Sequence, residues 1–203
     1  MVFDKGGFRI RLMSDYAFIL ASSSPRRKEL LERIGARFKI IPAEVEEHGD
    51  VDADPEWLVK ENAALKARWV AERYFDEYVL GSDTTVHIDG KILNKPVDMD
   101  DARRMIKTLS GRTHSVYTAF SIQCGGRGLV ETDGVRSSVT FKTLTDEVIE
   151  AYFAIVNPLD KAGAYGIQQG TDLIIESFVG SHSNIMGLPL DETKAALQRH
   201  NLL

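Results

Sequence analysis

The apolar run Ala17-Phe18-Ile19-Leu20-Ala21-Ser22 is too short for a helix and leads without a linker into Ser23-Ser24-Pro25. Such a run reads as a buried strand. Ser24 as N-cap and Pro25 as first helical residue then start a helix, which Leu30, Leu31 and Ile34 continue at helical spacing. A strand feeding directly into a helix is a β-turn-α unit, and it commits the chain to an α/β fold. The first turn of this helix carries Arg26, Arg27 and Lys28. Carboxylates belong there, because the unpaired N–H groups and the macrodipole make that end partly positive. Three cations with no structural gain in view point to an anion held by the helix terminus and the guanidinium groups; a solvated basic turn is the alternative.

The rest of the pattern mixes helices with hairpins. A short strand around 38–41 ends at Pro42 and precedes the acidic loop Glu44-Val45-Glu46-Glu47. Asp54-Pro55 opens a long helix from about Glu56 to Tyr74, with Leu58, Leu65, Trp69 and Val70 at packing positions. A strand over 78–81 then delivers Ser82-Asp83-Thr84-Thr85 at its carboxyl end. Val86–Ile88 and Lys91–Leu93 flank Asp89-Gly90, a hairpin signal. A helix runs from Asp98 to Leu109, and 113–141 alternates as two long antiparallel strands broken at Gly125-Gly126. Thr145 caps a helix of about ten residues. A strand is expected at Leu173-Ile174-Ile175 and a last helix from about Leu190 to His200. The prediction is a mixed sheet flanked by helices rather than a regular parallel one.

A chain of 203 residues suffices for one sizeable core, and residues 17–200 are expected to form a single domain. Residues 1–16, with Met13 just before the first strand, read as a lead-in. The net charge of −5 argues against broad nucleic-acid binding, so an anionic ligand has to be small and caught by a local cluster. No apolar run reaches the roughly 18 residues of a membrane span, and the first residues lack a signal peptide's apolar core, so a cytoplasmic protein is expected. Cys124 is the only cysteine, which excludes an internal disulfide and a cysteine-rich metal site.

Four further positions fit phosphoryl chemistry. Asp83 sits at a strand end, where open α/β sheets present ligand groups, although an Asx turn or cap would also explain it. Glu46 and Glu47 form a carboxylate pair able to hold a hard cation through oxygen, or else a solvated loop. Lys66 lies at the edge of the long helix's apolar stripe, and Lys95 is fixed in an extended segment by Pro96. Either lysine alone reads as an ordinary surface residue; with Arg26 and Arg27 they match the charge of a triphosphate. Asp98, Asp100 and Asp101 are explained by helix capping, and Asp89 by its turn. The histidines show no metal-ligand spacing, and there is no G-x-S-x-G or Walker A pattern.

Taken together, Leu20-Ala21-Ser22-Ser23-Ser24-Pro25-Arg26-Arg27, Gly81-Ser82-Asp83-Thr84, Leu93-Asn94-Lys95-Pro96, Leu109-Ser110-Gly111-Arg112-Thr113-His114, Asp160 through Gln168 and Gly187-Leu188-Pro189-Leu190 resemble the Maf family of nucleoside triphosphate pyrophosphatases, which are related in fold to inosine triphosphate pyrophosphatases. The resemblance implies two lobes around a deep cleft. It also implies hydrolysis between the α- and β-phosphates with a divalent cation, Mg²⁺ or Mn²⁺. By that analogy Asp83 is the proton acceptor, Glu47, Lys66 and Lys95 are further catalytic positions, and Glu47 and Asp83 are metal ligands. Ser22, Arg26, Arg27, Thr84 and Gln168 match substrate-contacting positions. Arg26, Thr84 and Gln168 are tied to the choice of base, and they look like the dTTP/UTP branch. An amide both donates and accepts, so Gln168 can pair with a pyrimidine carbonyl and its adjacent N–H. Gln169 departs from the small residue usual after that glutamine. The alternatives are a 7-methyl-GTP pyrophosphatase and, in a different class, a nucleotide-binding regulator of cell division. Homodimers are common among such proteins.

Overall fold

The computed structural model describes residues 15–203, so most of the lead-in expected at 1–16, Met13 included, lies outside the described residues. The expected β-turn-α unit is present: β1 (Phe18–Leu20) runs into α1 (Pro25–Arg33). The Ser24 side chain accepts from the Arg27 N–H, Pro25 opens the helix, and Leu30 and Leu31 are fully buried. After β2 (Phe38–Ile40) the chain forms α2 (Pro55–Ala71), whose N-cap Asp54 accepts from Trp57 N–H at 2.8 Å. There follow β3 (Val79–Ile88), β4 (Lys91–Leu93), α3 (Met99–Leu109), β5 (Thr113–Cys124) and β6 (Leu129–Phe141). The chain closes with α4 (Asp146–Phe153), α5 (Thr171–Ile174), β7 (Ile175–Val179), α6 (His182–Met186) and α7 (Leu190–Arg199).

The seven strands form one mixed sheet in the order β2-β1-β3-β5-β6-β7, with β4 added to the far end of β3. β1 pairs in parallel with both β2 and β3, and the remaining pairings are antiparallel. The Asp89-Gly90 hairpin turn has positive φ at both residues (53° and 76°), as a type I′ turn requires.

Side chains alternate between two unequal faces. Phe18, Leu20, Leu80, Val86, Val116, Phe120 and Phe141 join α1, α3, α4, α6 and α7 in the main core. Ile19, Ala21 and Val79 point the other way, onto Ala67, Val70 and Ala71 of α2, with Ile41 and Ala43 packed beside them. α2 lies very close to the sheet because residue 81 is glycine: a Cβ there would overlap the Ala63 carbonyl and lie 2.7 Å from Ala67 N.

Two elements differ from expectation. β3 does not stop at Gly81 but runs to Ile88, because Ser82, Asp83, Thr84 and Thr85 pair with Phe120, Ala119, Thr118 and Tyr117 of β5. Asp83 is therefore neither in a turn nor a cap. The segment read as a strand at Leu173-Ile174-Ile175 is instead the turn of α5 followed by β7, which starts at Ile175. Gly170, at φ +64°, sets up that turn, and the run then presents half-exposed Leu173 before fully buried Ile174. α6 has no counterpart in the sequence reading.

Candidate active site

The site grows from a mismatch in strand length. The parallel ladder between β1 and β3 ends at Leu20 and Leu80, with Ala21 N–H donating to Leu80 O at 2.8 Å. β4 takes up the same edge of β3 only at Val86. Between them Gly81–Thr85 has a strand on one side and open space on the other. β1 meanwhile turns away into α1, so the start of that helix faces the gap. A cavity of about 590 Å³ fills this position.

Eight of the expected site residues line it: Ser22, Arg26, Arg27, Glu47, Lys66, Asp83, Thr84 and Lys95. Five cationic side chains line the cavity (Arg26, Arg27, Lys66, Lys95, Lys161) against three carboxylates (Glu47, Asp83, Asp160). A concavity with an excess of positive charge thus sits in a chain of net charge −5, as capture of a small anion requires. Val86, Val116, Tyr165, Ile167, Ile185 and Met186 give another part of the wall an apolar character suited to a flat ring.

Asp83 is buried at 9% exposure and both its oxygens are engaged. Lys66 Nζ donates to Oδ1 at 2.8 Å, and Asn62 Nδ2 donates to Oδ2 at 3.1 Å. Lys66 also donates to Glu47 Oε2 at 2.6 Å, so one buried ammonium joins the carboxylate of β3 to that of the acidic loop. Glu46 is exposed and does not line the cavity, so of the acidic pair only Glu47 reaches the site. Lys95 lines it while exposed, with no ion-pair partner among the described residues.

The three cations of α1 have separate fates. Arg27 is buried, its Nε donating to Gly187 O at 2.8 Å, Nη1 to Ser22 Oγ at 3.1 Å and Nη2 to Thr84 Oγ1 at 3.2 Å. Burial lowers its guanidinium from the ordinary value, opposed by the charges of Asp83 and Glu47. Arg27 therefore ties α1, β3 and the end of α6 into one wall. Arg26 is more open and donates to Asp160 Oδ2 at 3.1 Å. Burial tends to raise the Asp160 carboxyl, but hydrogen bonds from Lys161 and Arg26 outweigh it and leave the carboxyl below its ordinary value. Among the described residues Lys28 pairs only with Glu32, one turn on at 3.6 Å, and does not line the cavity.

Gln168 stands apart from the other expected residues. It lines a smaller adjoining depression of about 320 Å³, shared with Pro25, Arg26, Asp160, Lys161 and Gly166, and its Nε2 donates to Glu29 Oε2 at 3.1 Å.

The donor set fits a hard divalent cation. Glu47 and Asp83 share a single lysine, and two carboxylate ligands completed by water and phosphate oxygens are the usual protein share of a Mg²⁺ site. Among the described residues no cluster of three or more acidic, histidine or cysteine ligands exists, so water or substrate oxygens would have to complete the shell of such an ion.

Asn62, Asp160 and Lys161 are among the polar lining residues to which the sequence reading gives no separate role. Asn62 carries a usable signal: it lies four residues before Lys66 and is a polar residue on the buried face of α2, only 2% exposed.

Comparison with known proteins follows the same residues. A family model described as Maf-like protein matches residues 17–200. The chain is 42% identical over 182 residues to the dTTP/UTP pyrophosphatase of Dictyoglomus thermophilum, covering 89% of this chain and 94% of that protein. It is 44% identical to the dTTP/UTP pyrophosphatase of Geobacter sp. (strain M21), covering 92% and 96%. With the protein of the same name from Geotalea uraniireducens the identity is 45%, covering 89% and 93%.

Proposed function

This chain belongs to the Maf family, and from that premise we propose that it hydrolyses dTTP and UTP to the monophosphate and pyrophosphate. The observation that carries the chemistry is Asp83: a buried carboxylate, oriented through both oxygens, inside a cavity with an excess of cations.

In the proposed mechanism Asp83 accepts the proton of a water whose oxygen bonds to phosphorus at the α–β bridge. The bridging P–O bond breaks and its electrons leave with pyrophosphate. Lys66 and Lys95 stabilise the charge that develops on the phosphate oxygens, and Arg26 and the start of α1 hold the polyphosphate. Arg27 and Ser22 fix the wall from which those groups act. Glu47 and Asp83 would hold a Mg²⁺ or Mn²⁺ ion, which when bound neutralises phosphate charge and polarises the phosphoryl group. Thr84, Arg26 and Gln168 are assigned to recognition of the base. For Gln168 this means that the nucleotide spans both the main cavity and the adjoining depression. No helix among the described residues is long and apolar enough to cross a membrane. A cytoplasmic location is part of the proposal, because the proposed substrates belong to the nucleotide pool there.

The test is turnover of a panel containing dTTP, UTP, dCTP and 7-methyl-GTP with Mg²⁺ or Mn²⁺, following pyrophosphate against phosphate. Equimolar pyrophosphate from dTTP and UTP is expected; phosphate alone contradicts cleavage at the α–β bridge, and preference for 7-methyl-GTP contradicts the choice of base. Asp83→Asn is expected to lower kcat by about 10²–10⁴-fold, the range for loss of a principal proton-transfer group. Near-wild-type turnover by that variant would remove Asp83 from the role of base.

A further inference from the structure

α2 does more than supply Lys66. One turn earlier, Asn62 makes three hydrogen bonds with a single side chain. Its Oδ1 accepts from His48 N–H at 2.8 Å, and its Nδ2 donates both to His48 C=O at 3.0 Å and to Asp83 Oδ2 at 3.1 Å. The two bonds to residue 48 are a donor and an acceptor of the same backbone unit, so only one orientation of the amide satisfies both. That orientation leaves one N–H free, and Asp83 receives it.

We propose that Asn62 is the positioning residue of this site: it sets the direction of the Asp83 carboxylate and, in the same act, anchors the loop that carries Glu47. This rests on the reading of Asp83 as the base. The spacing makes it possible, since residues four apart lie on one helix face. Lys66 takes Oδ1 of Asp83 and Asn62 takes Oδ2. Lys66 also reaches Glu47, and Asn62 reaches the backbone of the next residue, His48. Two rungs from one helix therefore hold the strand carboxylate and the loop carboxylate at a fixed separation.

The residue type follows from the task. The loop from Pro42 to Asp50 has no helix or strand of its own to hold it. Asn94 Nδ2 donates to Gly49 O at 3.1 Å on the β4 side, and Asn62 makes the corresponding attachment on the α2 side. An aspartate at position 62 would put a like charge against Asp83, and a lysine or arginine could not accept from His48 N–H. An amide is neutral, donates twice and accepts at its oxygen. It directs Asp83 without adding a second cation beside it.

The experiment compares Asn62→Ala, Asn62→Asp, Asp83→Asn and the double variant Asn62→Ala/Asp83→Asn with the wild-type enzyme. It measures pyrophosphate release from dTTP with Mg²⁺ and amide hydrogen exchange over residues 44–50. Loss of a supporting partner of this kind costs about 10–100-fold, so Asn62→Ala is expected to lower kcat by that factor while KM stays within about threefold. Exchange at 44–50 is expected to accelerate about tenfold or more in Asn62→Ala and to remain at the wild-type rate in Asp83→Asn. Asn62→Asp separates the two roles even where the alanine variant folds poorly. It keeps the acceptor for His48 N–H and loses the donors to His48 C=O and to Asp83, so exchange over 44–50 is expected to lie between that of the wild type and that of Asn62→Ala while kcat falls. In the Asp83→Asn background Asn62→Ala is expected to lower kcat by less than it does in the wild-type background, the remaining loss coming from the released Glu47 loop.

A kcat within twofold of wild type in Asn62→Ala, an unchanged exchange rate over 44–50, or fully additive losses in the double variant would each overturn the proposal. Wild-type turnover by Asp83→Asn itself indicts the assignment of the base instead, and the exchange arm still reports on the anchor.

Discussion

Lys66 holds the two carboxylates of the site at 2.6 and 2.8 Å, and it is the only cation within ion-pair distance of either among the described residues. Its side chain and that of Asp83 are 10% and 13% exposed, so water does little to replace the ammonium once it is removed. Lys66→Met should therefore cost stability as well as rate, with a loss of about 3 kcal/mol, the lower end for breaking a buried pair from one side. Urea denaturation reads this as a lower midpoint at unchanged slope. The sequence announced Lys66 only as a lysine at the edge of an apolar stripe. Its two partners lie 17 and 19 positions away, on another element and on a loop, and no local pattern encodes such a meeting. Arg27 is the converse. Its place in a helix's first turn was legible, but the oxygens of Ser22, Thr84 and Gly187 that absorb its N–H groups come from three separate segments.

Strand β3 is the element on which the site depends, and reading it from sequence misplaces its end. Ser82-Asp83-Thr84-Thr85 has the composition of a loop, yet all four residues are paired to β5. Polar residues tolerate a central strand here because three of the four side chains find partners, Thr85 Oγ1 being buried without one: Ser82 Oγ donates to Gly187 O at 3.3 Å, Thr84 Oγ1 accepts from Arg27 and from Thr118, and Asp83 is held by α2. The hairpin at Asp89-Gly90, the caps of α1 and α2 and the long β5–β6 pair were all legible, since turn chemistry and alternation are local. Gly81 is what lets α2 approach. Gly81→Ala is expected to destabilise the protein by about 1–3 kcal/mol through overpacking against α2 backbone that cannot yield cheaply. Thermal unfolding measures the loss. A fall in dTTP turnover at a temperature where the variant is still folded measures the displacement of Asn62 and Lys66.

On the scale of the whole molecule, the wall formed by residues 160–168 is braced against the sheet by a buried aromatic group. His114 Nε2 lies 2.6 Å from Tyr165 Oη, and Tyr152 Oη accepts from Gly166 N–H at 3.0 Å. Burial pushes His114 down to about 4. In the unfolded chain it titrates near 6.5, so between those values the unfolded state binds more protons and stability rises with pH. The stabilisation is complete above about pH 6.5 and is lost as the pH falls toward 4, by roughly 3 kcal/mol for this group. His114→Gln should flatten the dependence of the melting temperature on pH across that window, as a calorimetric series would record. Neither this brace nor the seat of Gln168 beside Glu29 was legible, because both depend on how the glycine-rich segment after Pro158 folds back. The same return path sets a clock. Arg27 meets Gly187 across 160 positions of chain, and Arg26 meets Asp160 across 134. At synthesis rates of about 5–20 residues per second, roughly 10–30 s separate the making of Arg27 from the making of the residue that closes over it. A nascent chain thus lacks this closed wall of the site until Gly187 has emerged.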